Sequence, residues 1–333
     1  MDRMDFTHAV ARIRVIEKKL LNKNIVERLI GSETPQETIK VLQDSSYGSL
    51  VNELESVYDY EKILKAELVE LYENLYKISP VKEVIDVMSL KYDYHNMKVL
   101  IKEKAINKDL SNMIIPIGTL SIDKLKTCIA SGELKPLGKE ISGVISKVES
   151  AFEETKDPQV IDTLLDQMMF EHMIKLANKM DIDFIKKYVE ILIDVTNIKM
   201  MLRVKKQNKE SRFLKSVLIP GGTIKNELLM DGVNEDLDTF INKISRTPYA
   251  KVLSSILEDY TATGNITSLD VLYDNYIMNH AKEAKRVNFG PEPIIAYIIA
   301  KETEIKIIRI IMVGKVNKVS EEVIRERLRE LYV

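Results

Sequence analysis

The stretch Asp93-Tyr94-His95-Asn96-Met97-Lys98-Val99-Leu100-Ile101-Lys102 returns 101 residues later as Asp194-Val195-Thr196-Asn197-Ile198-Lys199-Met200-Met201-Leu202-Arg203, and only the second and third positions change residue class. A weaker third copy, Glu304-Ile305-Lys306-Ile307-Ile308-Arg309, begins 107 residues after Asn197, with Glu304 standing where the second copy has that asparagine. Neighbouring landmarks keep the register. Ile115-Pro116-Ile117-Gly118-Thr119 answers to Ile219-Pro220-Gly221-Gly222-Thr223 at 104 residues, and Asp166 with His172 answers to Asp274 with His280 at 108. This period is too long for solenoid units of about 20 to 50 residues, so each copy is read as a small helical bundle. Three such bundles nearly fill the 333 residues. Only 27 residues follow Lys306, whereas 43 precede the first full copy. The expectation is an N-terminal segment, 1–43, that packs on the C-terminal bundle and closes a ring. The repeats then fall at 44–145, 146–247 and 248–333.

Helical periodicity dominates between these landmarks. From Leu54 the apolar positions run Val57, Leu64, Leu68, Leu71, Leu75 and Ile78, with Glu53, Glu61, Lys65, Glu70 and Glu73 facing elsewhere. That spacing predicts an amphipathic helix. It should stop at Ser79, because Pro80 disfavours the helical conformation in the residue before it and can itself open the next helix. The same logic predicts helices at Pro158 to Met180, Asp183 to Lys206, Val252 to Tyr260, Val271 to Arg286, Pro293 to Val313 and Ser320 to Leu331. Breaks fall at Pro116, Gly118, Pro220, Gly221, Gly222 and Gly290. No alternating run is long enough to build a sheet, so the fold is read as all-α.

Composition narrows the function classes. Charged residues at 30% and hydrophobic ones at 45% fit a soluble globular chain and neither a disordered nor a membrane-embedded one. Forty-nine basic against fifty-one acidic residues leave no global positive field for nucleic acid. The single Cys128 excludes an internal disulfide and multi-cysteine metal sites, which suits a reducing compartment. The first residues carry Asp2 and Asp5 before any apolar run, unlike a secretory signal. The most apolar window, Ile294 to Val313, is interrupted by Lys301, Glu302, Glu304, Lys306 and Arg309. Each would cost about 2.5 to 3.5 kcal/mol at a bilayer centre, so any membrane contact is expected to be peripheral.

The repeated Asp-x-x-Asn-hydrophobic-Lys motifs, the turn at Pro220-Gly221-Gly222 and the stretch from Phe289-Gly290-Pro291-Glu292-Pro293 through Ala300-Lys301-Glu302-x-Glu304-x-Lys306 carry a resemblance. Over essentially its whole length the chain resembles the C-type subunits of archaeal and bacterial A/V-type rotary ATPases, a family that includes the d-type subunit of the eukaryotic vacuolar enzyme. The resemblance implies three pseudo-three-fold related helical bundles arranged as a funnel. It implies a rotor role on the cytoplasmic face of the membrane, between the central shaft subunits (D and F type) and the membrane ring (c or K type). ATP hydrolysis or synthesis in partner subunits would there be coupled to proton or sodium movement.

The residues fit a non-catalytic part. Gly138-Lys139-Glu140 and Gly314-Lys315-Val316 lack the hydroxyl and upstream glycine of a phosphate loop. His8, His95, His172 and His280 make no metal-ligating pair, and Asp231 to Asp238 lacks the ligand spacing of a calcium loop. No catalytic residue, cofactor, metal or small-molecule substrate is expected. The basic run Lys205-Lys206-Gln207-Asn208-Lys209, extended by Arg212 and Lys215, has too little aromatic interleaving for a nucleic-acid groove. Each repeat helix ends in cations. Lys98 and Lys102, then Lys199, Arg203, Lys205 and Lys206, then Lys306 and Arg309 are the candidate partner-binding residues, a socket for an acidic shaft if three-fold symmetry gathers them. The alternative is that they complement helix dipoles. Asp93, Asn96, Asp194 and Asn197 either face the funnel or hydrogen-bond to a neighbouring turn, as Asp and Asn within helices commonly do. Periodicity alone would also allow a helical adaptor outside any ATPase.

Overall fold

The computed structural model describes residues 2–52, 54–263 and 267–333, and among them every regular element is a helix. Among the described residues seven long helices organise the fold: α1 (Tyr60–Ile78), α2 (Glu83–Ile106), α3 (Lys139–Thr155), α4 (Pro158–Met180), α5 (Asp183–Lys206), α6 (Thr267–Glu283) and α7 (Glu292–Val316). Shorter helices fill the connections. Local chemistry sets the ends: Asp157 accepts a hydrogen bond from the Gln159 N–H at 2.9 Å and Pro158 opens α4, while Asp181 in the left-handed conformation closes it. The apolar window becomes the most enclosed element, since Glu292 through Lys301 of α7 are buried without a break. A helix apolar on all sides belongs in a core. No helix among the described residues is long and apolar enough to cross a membrane.

Three hairpins, α1/α2, α4/α5 and α6/α7, share one packing rule. The first helix of each hairpin lies against the second helix of the preceding one: α4 on α2, α6 on α5, and α1 on α7. The last contact joins the beginning of the long-helix series to its end. An apolar cluster backs it, in which Leu21, Leu29, Ile39, Leu42 and Tyr47 pack with Ile63 and Leu64 against Ile305, Ile308, Ile311 and Met312. Polar contacts tie the same segments: Arg3 reaches Glu292 at 2.7 Å, Arg325 reaches Glu27 at 2.7 Å and Lys315 donates to the Ile30 carbonyl.

The second helix of each hairpin also ends alike. Asn107, Asn208 and Lys318 take positive φ of 49°, 50° and 55°. The next N–H, from Lys108, Lys209 and Val319, donates to the carbonyl five residues back on Glu103, Val204 and Gly314 at 3.3, 3.1 and 2.9 Å. This is the six-to-one bond of a left-handed helix cap, made three times.

Several expected boundaries move. The first helix begins at Tyr60, because Ser56 caps a short 3-10 turn, Val57–Asp59; Glu53 lies outside the described residues. The second begins at Glu83, three residues past Pro80. Val252 to Tyr260 is two helices, Pro248–Ser254 and Leu257–Thr263. The last helix stops at Glu326, because the tail turns aside to bond along α6: Arg329 pairs with Asp274 at 2.7 Å and the Glu330 N–H reaches Asn275 at 2.7 Å.

Candidate functional site

The repeated motif is a clamp between a long helix and the turn that follows it. In the first copy Asn96 bridges Ile115 in both directions, accepting from its N–H at 2.9 Å and donating to its carbonyl at 2.7 Å. One turn earlier, Asp93 accepts from the Thr119 N–H and hydroxyl, both at 2.9 Å, and from the Leu120 N–H at 3.1 Å. The second copy repeats each bond. Asn197 bridges Ile219 at 2.9 and 2.8 Å, and Asp194 takes the N–H and hydroxyl of Thr223 and the Ile224 N–H. All four side chains are buried. The helix-to-turn reading therefore holds for them. Glycine is required at the turn: a Cβ on Gly118 would lie 2.1 Å from Asp93 Oδ1, and one on Gly222 would lie 2.2 Å from Asp194 Oδ1. Burial pushes the Asp93 carboxyl up to about 6, against the pull of its N–H and hydroxyl donors.

The third copy keeps the three-residue spacing and changes the chemistry. Lys301 and Glu304 occupy the places of Asp and Asn, 3% and 2% exposed. Glu304 accepts from the Tyr47 hydroxyl at 2.7 Å, from Lys301 at 2.6 Å and from the Leu21 N–H. Lys301 also pairs with Glu67 of α1 at 2.7 Å and lies 4.4 Å from the centre of the Tyr47 ring. Burial works against its charge, yet Glu304 and Glu67 hold it above the ordinary lysine range. Glu67 is itself pushed up, burial outweighing Lys301. The group held here is not a following turn but the N-terminal segment.

Six of the eight candidate cations are spent inside the molecule. Lys98 and Lys102 of α2 pair with Asp166 and Asp162 of α4 at 2.6 and 2.7 Å; Lys199 of α5 pairs with Asp270 of α6 at 2.6 Å. Arg309 of α7 makes two bonds to Glu61 of α1, at 2.7 and 3.0 Å. Each pair crosses from one hairpin to the next in the order of helix packing. Lys306 instead pairs within its hairpin, with Asp274 at 2.8 Å. Lys205 donates to the carbonyls of Val233 and Glu235, closing the helix Asn226–Asn234. Arg203 and Lys206 are exposed, with no ionic partner among the described residues. The Asp166–His172 and Asp274–His280 pairs do not correspond in contact: Asp274 binds Lys306 and Arg329, and His280 stacks on Phe184 at 4.1 Å.

Sequence reasoning passed over Glu302. Its carboxylate takes the hydroxyls of Tyr72 at 2.8 Å and Tyr92 at 2.7 Å and pairs with Lys91, fastening α7 to α1 and α2. Its only sequence signal is an acid inside an apolar run.

The profile of the ATP synthase (C/AC39) subunit family matches residues 9–327. The chain belongs to this family. Among curated relatives, the C-type subunit of the V-type sodium ATPase of Enterococcus hirae is 26% identical over 329 residues, spanning 99% of each chain. The C-type subunit of the A-type ATP synthase of Methanocaldococcus jannaschii is 28% identical over 350 aligned positions, covering 99% of this chain and 88% of the relative. That of Pyrococcus abyssi is 26% identical, covering 98% and 90%. Membership of the C/AC39 family sets aside the reading as an adaptor unrelated to ATPases.

Proposed function

We propose that the chain is a non-catalytic central-stalk subunit of an A/V-type ATPase, bridging the shaft subunits to the membrane ring at the cytoplasmic face. It would carry torque between ATP turnover and proton or sodium movement in its partners. The observation that carries this reading is the family match over nearly the whole chain, residues 9–327. The cyclic helix packing supports it physically. Three hairpins, each fastened to the next by packed apolar faces and an ion pair, form a closed train in which shear at one contact is shared by the others, because close-packed interiors deform little. We place the three units of the funnel on these hairpins, the third completed by the N-terminal segment. The expected boundary between 145 and 146 is moved out of α3, which spans it. In this arrangement the charged clasps stiffen the body, and the remaining exposed charge is left for partners.

A pull-down with the purified chain tests the proposal, using shaft subunits and, separately, detergent-solubilised membrane ring from the same source, at low and moderate salt. Binding to both is expected. A well-folded chain that binds neither would overturn the bridging role.

A further inference from the structure

The three helix caps share a backbone but not a surface. Around the α5 cap, 203–215 holds six basic residues against one acidic, Glu210. The matching windows, 102–114 around the α2 cap and 313–325 around the α7 cap, each hold three basic residues against two acidic. Pairing widens the difference. At the α2 cap Lys102 and Lys104 are taken by Asp162 and Glu149. At the α7 cap Lys315 is turned onto the Ile30 carbonyl and Arg325 onto Glu27. At the α5 cap only Lys205 is turned inward. Arg203, Lys206, Lys209, Arg212 and Lys215 are all at the surface, with no ion pair among the described residues. Lys206 and Lys209 line one cleft together with Asp236 and Asp238; Lys209 and Arg212 line a second with Glu210 and Phe213. Lys209 lies 4.3 Å from the centre of the Phe213 ring.

We propose that these five surface cations form a docking face for an acidic protein segment present in one copy per assembly. The inference rests on the three-unit arrangement proposed above and narrows its partner surface to the middle unit. The asymmetry selects the occupant. In that arrangement the three caps lie at one end. An anionic membrane plane, or a ring of identical subunits, would meet all three, and matching positive charge would be expected at each. A single-copy partner needs only one. The guanidinium and ammonium groups suit carboxylates, and complementary charge of this kind acts mainly on encounter rate and orientation.

The test uses the full chain carrying Lys206→Glu, Lys209→Glu and Arg212→Glu, beside a control carrying Lys108→Glu and Lys318→Glu at the other two caps. All five side chains lie at the surface, so both proteins should melt like the parent, and circular dichroism checks this. Probes are purified shaft subunits, detergent-solubilised ring and vesicles of anionic phospholipid. The triple variant is expected to bind shaft subunits at least about tenfold more weakly at low salt, with a flattened salt dependence, while the control stays within about twofold. Ring binding should be unchanged in both. If the parent binds shaft subunits and the triple variant binds them equally, the docking face is wrong and the bridging role stands. An equal loss in the control would show a general charge effect and overturn it. So would a triple variant whose only defect is in vesicle binding. A parent that binds neither shaft nor ring would sink the bridging role and this face with it.

Discussion

The clamps on α5 and α7 hold comparable positions with different chemistry. Asn197 grips Ile219, 22 residues away, with two neutral amide bonds. Glu304 grips Leu21, 283 residues away, with a carboxylate backed by Lys301, Glu67 and Tyr47. The difference follows from chain connection. Bringing together groups that far apart costs on the order of 2 kcal/mol more in closure entropy than closing the short turn. Charge-assisted hydrogen bonds are roughly twice as strong as neutral ones, so the ionic cluster around Glu304 helps to offset that cost. It also brings vulnerability, because a buried charge set is stable only while every member is present.

The largest expected effect therefore lies in α7. Lys301→Met leaves Glu67 and Glu304 buried without their cation and should lower stability by about 3 to 5 kcal/mol in a urea titration. A loss below about 1 kcal/mol would mean that Glu67 and Glu304 do not depend on the lysine. Next comes Asn197→Ala, which strips both partners from a buried backbone unit and should cost about 2 to 4 kcal/mol. If it matched or exceeded Lys301→Met, the contrast between the two clamps would fail.

The carboxyl of the first clamp sharpens the comparison through pH. Asp93 is raised to about 6 in the folded chain, above its unfolded value near 4. The folded state then binds the proton more readily, so this group favours folding below the unfolded value, and that contribution is lost as pH rises through about 6. Carbon-13 titration of Asp93 should show a midpoint within about one unit of 6. A midpoint below about 4 would show that the Thr119 and Leu120 donors prevail over burial. The smallest effect is expected at the clasps between hairpins, which are partly exposed: Lys98→Ala should shift stability by less than about 1 kcal/mol in thermal melting.

What could be read from the sequence divides along the same line. The Asp-x-x-Asn motif and its glycine turn were visible because motif and partner lie within about thirty residues and recur together. The bounds of α4 were legible because local chemistry sets them, with Pro158 at its first position. The replacement of Asn by Glu304 was visible too, but its partner Leu21 carries no signal of its own. The cations were seen and their partners were not, since Asp162 and Asp166 lie 60 and 68 residues from Lys102 and Lys98 and nothing local links them. The final helix was read too long because its apolar spacing continues past Glu326, while contacts with α6 decide where the tail goes.

The central claim is that the N-terminal segment completes the third unit. Hydrogen exchange on a chain lacking residues 1–30, which removes Leu21, tests it most directly. The account predicts that amides of Ile305 to Met312 in α7 lose protection while those of Tyr188 to Leu202 in α5 keep theirs. Unchanged protection along α7 would contradict it.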